Sequence, residues 1–164
     1  MTETKDTAGV IAPPPLIALV VLLLGLALDW LVPAYVLTLL LSMELRIILG
    51  VLFVTAGAAL AITGVGAFRR LGTKVNPYKP STTVVTSGIY RYLRNPMYVG
   101  LGFLVAGIGI ALASDWTLVM LVAGALTIHF GVVKREERYL SAKFGQPYLR
   151  YMAAVPRYGW PPKA

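Results

Sequence analysis

The chain has 164 residues, 57% of them hydrophobic, with a formal net charge of +8 and a mean hydropathy of +0.73. It has no cysteine and a single histidine, His129, which excludes disulfide exchange, thiolate catalysis and Cys-based metal sites and leaves too few ligands for a catalytic zinc. A soluble core does not need this much apolar surface, so the expected class is all-α integral membrane, one domain over residues 1–164.

Met1 to Val10 is polar and mixed in charge. The apolar run after it is too long for a signal-peptide core and lacks a small-residue cleavage site, so it reads as a retained first helix. That first span runs from about Pro15 to Leu31, with Asp29 and Trp30 at its far end and Pro33 breaking it. Ala34–Ser42 is apolar but too short to cross alone; it reads as an interfacial or re-entrant piece, or as an extension of a neighbour. The second span, Leu45–Phe68, is rich in Gly and Ala, which allows close helix approach in lipid. These two spans form an N-terminal helical pair over residues 1–68.

A polar stretch follows, Arg69–Asn95, with Arg69, Arg70, Lys74, Lys79, Arg91 and Arg94 and no acidic residue. The third span runs from Met97 to Ala113, and Ser114 and Asp115 make a tight turn. The fourth starts at Trp116, stays apolar to Val133 apart from His129, and continues as a polar helix through Arg138. Gly145 and Pro147 punctuate the tail, and a short amphipathic helix follows, ended by Pro156. Four membrane helices are therefore expected, with a polar loop and a helical tail.

The basic residues flank the spans, so they read as a topology signal and a contact for anionic lipid headgroups, not as a nucleic-acid surface. The positive-inside rule places the Arg69–Asn95 loop, the tail after Val133 and both termini in the cytoplasm. Arg46 is the one basic residue on the wrong side. Eight of the nine tyrosines lie after residue 77, more than an anchoring belt needs. Away from their ends the spans hold no carboxylate and no basic residue except His129, which argues against a proton-coupled transporter.

Two stretches carry the polar chemistry. In Thr86-Ser-Gly-Ile-Tyr-Arg-Tyr-Leu-Arg-Asn-Pro-Met-Tyr-Val-Gly100, Pro96 is placed as the first residue of a helix. The free N–H groups of that helix start, with Arg94 beside them, suit an anion, and Tyr90 and Tyr98 add aromatic faces. An interfacial helix start with Tyr and Arg anchors is the competing reading. In His129-Phe-Gly-Val-Val-Lys-Arg-Glu-Glu-Arg-Tyr-Leu140, His129 and Glu136 are seven apart, two turns on one helical face. That shared face favours a functional role for Glu136. Glu137 reads as a solvated helix end, pairing with Lys134, Arg135 and Arg138.

At these residues the chain resembles a known family. Gly88-Ile-Tyr-Arg-Tyr-Leu-Arg-Asn-Pro-Met-Tyr-Val-Gly100 is similar to the Arg-His-Pro-x-Tyr-x-Gly signature of the isoprenylcysteine carboxyl methyltransferases and phospholipid N-methyltransferases. Glu136-Glu-Arg-Tyr-Leu140, Phe144-Gly-Gln-Pro-Tyr148, Tyr151 and Val155-Pro-Arg157 resemble that family's tail. The resemblance covers about Val75 to Arg157. Asn95 stands where the family has His; both donate a hydrogen bond, but only His titrates near neutrality.

The resemblance implies a cytoplasmic-side pocket for S-adenosyl-L-methionine in a cofactor-binding half, residues 69–164. Its walls would be Thr82, Thr83, Val84, Val85, Tyr90, Arg94, Asn95, Pro96, Met97, Tyr98, His129 and Glu136, with Arg94, Asn95 and Glu136 as the catalytic set. The implied reaction is methyl transfer to a lipophilic substrate that enters from the bilayer. An isoprenylcysteine-like carboxylate needs no general base, whereas the amine of phosphatidylethanolamine does. A lipid-binding module without catalysis is the reading of a different class, and Asn95 is the feature that keeps it open.

Overall fold

A computed structural model describes residues 6–72, 78 and 80–159. Lys74, Pro77 and Lys79 of the basic loop lie outside them. Among the described residues every regular element is helical. In chain order these are α1 (Pro14–Leu31), α2 (Val36–Leu40), α3 (Met43–Arg70), a 3-10 turn (Gly88–Arg91), α4 (Pro96–Ala111), α5 (Asp115–Ile128), a π turn (His129–Val133), α6 (Lys134–Phe144) and α7 (Gln146–Ala154).

Three stretches are long and apolar enough to cross a membrane: α1, α3, and the continuous helix Asp115–Phe144 that comprises α5, the π turn and α6. Of the most apolar window of α3 only 11% is buried within the protein. Such an apolar surface, turned outward, needs lipid as its solvent. The expectation of four full spans is met only in part. At 16 residues α4 rises about 24 Å, short of the roughly 30 Å hydrocarbon thickness. Its limits are local. Pro96 sets its start, and Ala113, held at φ 55°, closes the turn after it.

α4 lies antiparallel against α3 in the most extensive helix contact of the molecule. The contact rests on glycines seven residues apart: Gly50, Gly57 and Gly64 on α3, Gly100 and Gly107 on α4. A Cβ at Gly57 would stand 2.6 Å from the carbonyl oxygen of Gly100, and one at Gly100 would stand 2.6 Å from that of Gly57. With no hydrophobic drive between helices in lipid, this backbone-to-backbone approach supplies the dispersion contact that holds the pair. α1 packs on α5 in a similar way, with Val21 against Gly124 and Gly25 against Thr117. Ala18, Val21 and Val105 form the buried apolar centre where α1, α4 and α5 meet.

The end of the bundle away from the basic residues is tied by two aspartates. Asp29 accepts from the hydroxyl of Ser114 and from the backbone N–H of Trp116. Asp115 accepts from the N–H groups of Val36 and Leu37, each at 3.0 Å, and so caps α2 from across the chain. The indole of Trp116 donates to the carbonyl of Val32 at 2.7 Å. The short apolar piece between the first two spans is thus a surface helix pinned to the α4–α5 turn.

Candidate functional site

At the basic end, the start of α4, the 3-10 turn, the loop through Val85, and helices α6 and α7 enclose a polar cavity of about 100 Å³. Its lining includes Thr83, Val84, Val85, Tyr90, Arg94, Asn95, Met97, Tyr98 and Glu136, nine of the twelve residues expected to form one wall. Thr82 and Pro96 do not line it. Pro96 is fully buried, packing the start of α4 beside Gly64.

His129 lies elsewhere. It lines a second, apolar cavity of about 700 Å³ among α1, α4 and α5, and its Nδ1 is 2.8 Å from the hydroxyl of Tyr158. The expectation that His129 and Glu136 share a face is corrected here. The five residues His129–Val133 form a π turn, which holds more residues per turn than an α-helix. A seven-residue spacing across it no longer returns to the same side. Val132 and Val133 are wholly buried at this turn. One continuous helix therefore sends His129 to the apolar cavity and Glu136 to the polar one.

Tyr98 lines both cavities. Its hydroxyl donates to Oε1 of Glu136 at 2.8 Å, so the phenol and carboxylate stand at the junction of the polar and apolar spaces.

The solvated end expected at Glu137 is a second correction. Glu137 is buried, with 8% of its surface exposed. Arg157 donates to it through both Nε (2.9 Å) and Nη2 (2.7 Å), a bidentate pairing. Arg94 Nη1 lies 2.7 Å from Oε1, the oxygen that also accepts from Arg157 Nε. Lys134, Arg135 and Arg138 form no ion pair with it among the described residues. The tail is fastened to the start of α4 as well. The backbone N–H of Arg94 donates to the carbonyl of Pro156 at 3.0 Å, and Asn95 Nδ2 donates to that of Arg157 at 3.1 Å. Asn95 uses its amide to hold the tail, a task that needs a donor and no titrating group.

Two polar groups on residues that line the polar cavity lack a hydrogen-bond partner. The hydroxyl of Tyr90 and Nε of Arg94 are buried without a hydrogen bond among the described residues. Buried donors of this kind are costly unless something satisfies them. Burial first, then the neighbouring Tyr151 and Glu136, push the Tyr90 phenol up from its ordinary value, so it is a neutral donor. Tyr148 is pushed up to about 12, chiefly by burial and next by Glu137. Tyr151 donates to the carbonyl of Tyr90 at 2.8 Å, and Phe68 packs edge-on against the Tyr90 ring. The chemistry is that of two neutral or cationic donors and one carboxylate in an aromatic shell, which suits a ligand bearing both an acceptor anion and a donor amine or hydroxyl.

Glu137, Arg157, Tyr139, Tyr148 and Tyr151 belong to this site without having been singled out as site residues. Their signal was the crowding of tyrosines into the second half and the Val155-Pro-Arg157 ending. Among the described residues no group of three His, Asp or Glu side chains is placed to hold a metal ion.

Residues 45–147 match the family described as phospholipid methyltransferase. Over 81 residues, 49% of the chain, the sequence is 33% identical to protein-S-isoprenylcysteine O-methyltransferase of Xenopus laevis. That match spans 28% of the relative's length. No solved structure matches the chain.

Proposed function

Because the chain belongs to the phospholipid methyltransferase family, we propose that it is an S-adenosyl-L-methionine-dependent methyltransferase that modifies a lipophilic substrate drawn from the bilayer. The observation that carries this reading is the meeting of a polar cavity and an apolar one at a single side chain, Tyr98. A polar donor and a greasy acceptor would each have a compartment of matching chemistry, with their reacting groups meeting at the shared wall.

The donor set of the polar cavity fits the cofactor. The unpartnered Tyr90 hydroxyl and Arg94 Nε would receive its carboxylate, Glu136 would take its amino group or ribose hydroxyls, and Phe68, Tyr148 and Tyr151 supply an aromatic surround. Bound there, S-adenosyl-L-methionine supplies a methyl group on a sulfonium centre. The protein's own tasks are to bind, align and exclude water. Glu137 holds Arg94 in place, and Asn95 and the Arg94 backbone fix the tail that closes the site.

The apolar cavity is lined by side chains such as Val21, Phe53, Phe103 and Leu121, with Tyr98, His129 and Tyr158 as its polar members. It suits a hydrocarbon chain better than a headgroup. For a carboxylate acceptor, methyl transfer cancels both reacting charges and the apolar surroundings favour it. Phosphatidylethanolamine N-methylation is the second reading. It needs Glu136, which accepts from Tyr98 beside the junction, to take the amine's proton instead of binding the cofactor. The site and both termini are assigned to the cytoplasmic face on the charge rule.

Calorimetry in detergent tests the reading. S-adenosyl-L-methionine is expected to bind the wild type and to bind Glu136→Ala at least about tenfold more weakly, as loss of a buried charged hydrogen bond requires. No binding by the wild type overturns the proposal. A labelled-methyl assay with extracted native lipids then identifies the acceptor.

A further inference from the structure

The segment before α1 is laid along one face of α6 and the π turn that precedes it. Asp6 pairs with Lys143 and accepts from the hydroxyl of Tyr139, the carbonyl of Gly9 accepts from Arg135, and the N–H of Ile11 donates to the carbonyl of Gly131. The helix partners are residues 143, 139, 135 and 131, one every four positions, so the segment runs antiparallel down a single helical stripe. Gly9, at φ +59°, turns it midway. Val10 is buried, and the side chain of Ile11 fills the space where a Cβ on Gly131 would stand.

This strap forms part of the polar cavity. Ala8 lines it, as do Ser81 and Tyr139, and the Tyr139 hydroxyl also accepts from the N–H of Ser81 at 3.2 Å. One phenol thus joins the strap, the loop over the cavity and α6. The cavity they close holds about 100 Å³, below the roughly 300 Å³ at which small-molecule sites begin. A ligand as large as a nucleoside joined to an amino acid does not fit without movement of a wall. Of the walls, α4, α6 and α7 are joined by the buried Glu137 cluster and by backbone bonds. The strap is held mainly by an ion pair and hydrogen bonds at exposed positions, contacts that water replaces at little cost, together with one backbone bond from Ile11 to Gly131 and two apolar side chains.

We infer that residues 6–13 form a lid over the polar cavity, latched through Asp6 to Lys143 and Tyr139, and that its release governs exchange of the methyl donor. The inference rests on the reading of that cavity as the donor site. The absence of native cysteine makes the test clean. In the full-length double variant Asp6→Cys/Lys143→Cys, a short bis-maleimide locks the strap to α6, and neither position lines the cavity. Radiolabelled S-adenosyl-L-methionine bound before locking is expected to dissociate at least about tenfold more slowly than from the unlocked protein, as for other gating loops. Added after locking, it is expected not to enter. Asp6→Asn, which loosens the latch without cross-linking, is expected to speed both association and dissociation. Binding that exchanges at the same rate in locked and unlocked protein overturns the lid alone. Absence of binding in the wild type overturns the donor reading and the lid with it.

Discussion

Replacing Glu137 by glutamine keeps the shape of the side chain and removes its charge. Two guanidinium groups then face each other without the anion between them. Arg94 is the more damaging of the two, because 6% of its side chain is exposed against 32% for Arg157. Removing one partner of a buried pair costs about 3–5 kcal/mol, while an exposed pair contributes at most about 1 kcal/mol. Arg157 can turn to water and the amide oxygen still accepts one bond, so the lower end applies, about 3 kcal/mol. For a chain of this size that corresponds to a fall of roughly 6–12 °C in Tm. Glu136→Gln, one position away, loses only the charge on a hydrogen bond from Tyr98 and is expected to shift Tm much less. Thermal unfolding of both variants in detergent makes the comparison. Equal shifts, or a larger one for Glu136→Gln, would refute the assignment of the structural role to Glu137 and of the ligand-facing role to Glu136.

Two further outcomes follow from the packing and the buried phenols. Gly57→Ala gains helix propensity worth up to about 1 kcal/mol, but its Cβ would meet backbone of α4 at 2.6 Å, so overpacking of about 1–3 kcal/mol wins and the variant is less stable. Gly66→Ala, with nothing within 4 Å, is expected to be neutral or stabilising in the same unfolding assay; equal behaviour of the two would contradict the α3–α4 contact. Tyr90, Tyr148 and Tyr151 are all pushed above the ordinary phenol value by burial, Tyr148 to about 12. Their contribution to stability is complete below about pH 10, where the unfolded phenols keep their protons, and is lost as pH rises toward 12 and beyond. Unfolding midpoints measured from pH 8 to 12 should therefore stay level and then drop; Tyr148→Phe should shrink the drop.

The membrane helices were legible because hydropathy and proline punctuation act locally. Pro14 and Pro96 stand at helix starts, and α7 begins and ends where Gly145 and Pro156 indicate. The polar cavity was legible through motif residues that lie close in sequence, from Thr83 to Tyr98. What escaped depends on long-range partners. Glu137 looks solvated among Lys134, Arg135 and Arg138, and only the return of the chain at Arg157 buries it. The π turn at His129–Val133 has no local signature, yet it decides which cavity each of its flanking polar residues meets. The heptad of Gly50, Gly57 and Gly64 was visible as small residues, but its partner series on α4 becomes meaningful only once the two helices are antiparallel.

Asp115 holds more than a short surface helix. Its carboxylate receives the N-terminal end of α2 while it opens α5 itself, so the linker between the first two spans and the hairpin between the last two share one side chain. Asp29, Ser114 and Trp116 tighten the same corner. The bundle is therefore clasped at both ends by carboxylates of opposite partner type: backbone and hydroxyl donors around Asp29 and Asp115 at one end, guanidinium groups around Glu137 at the other.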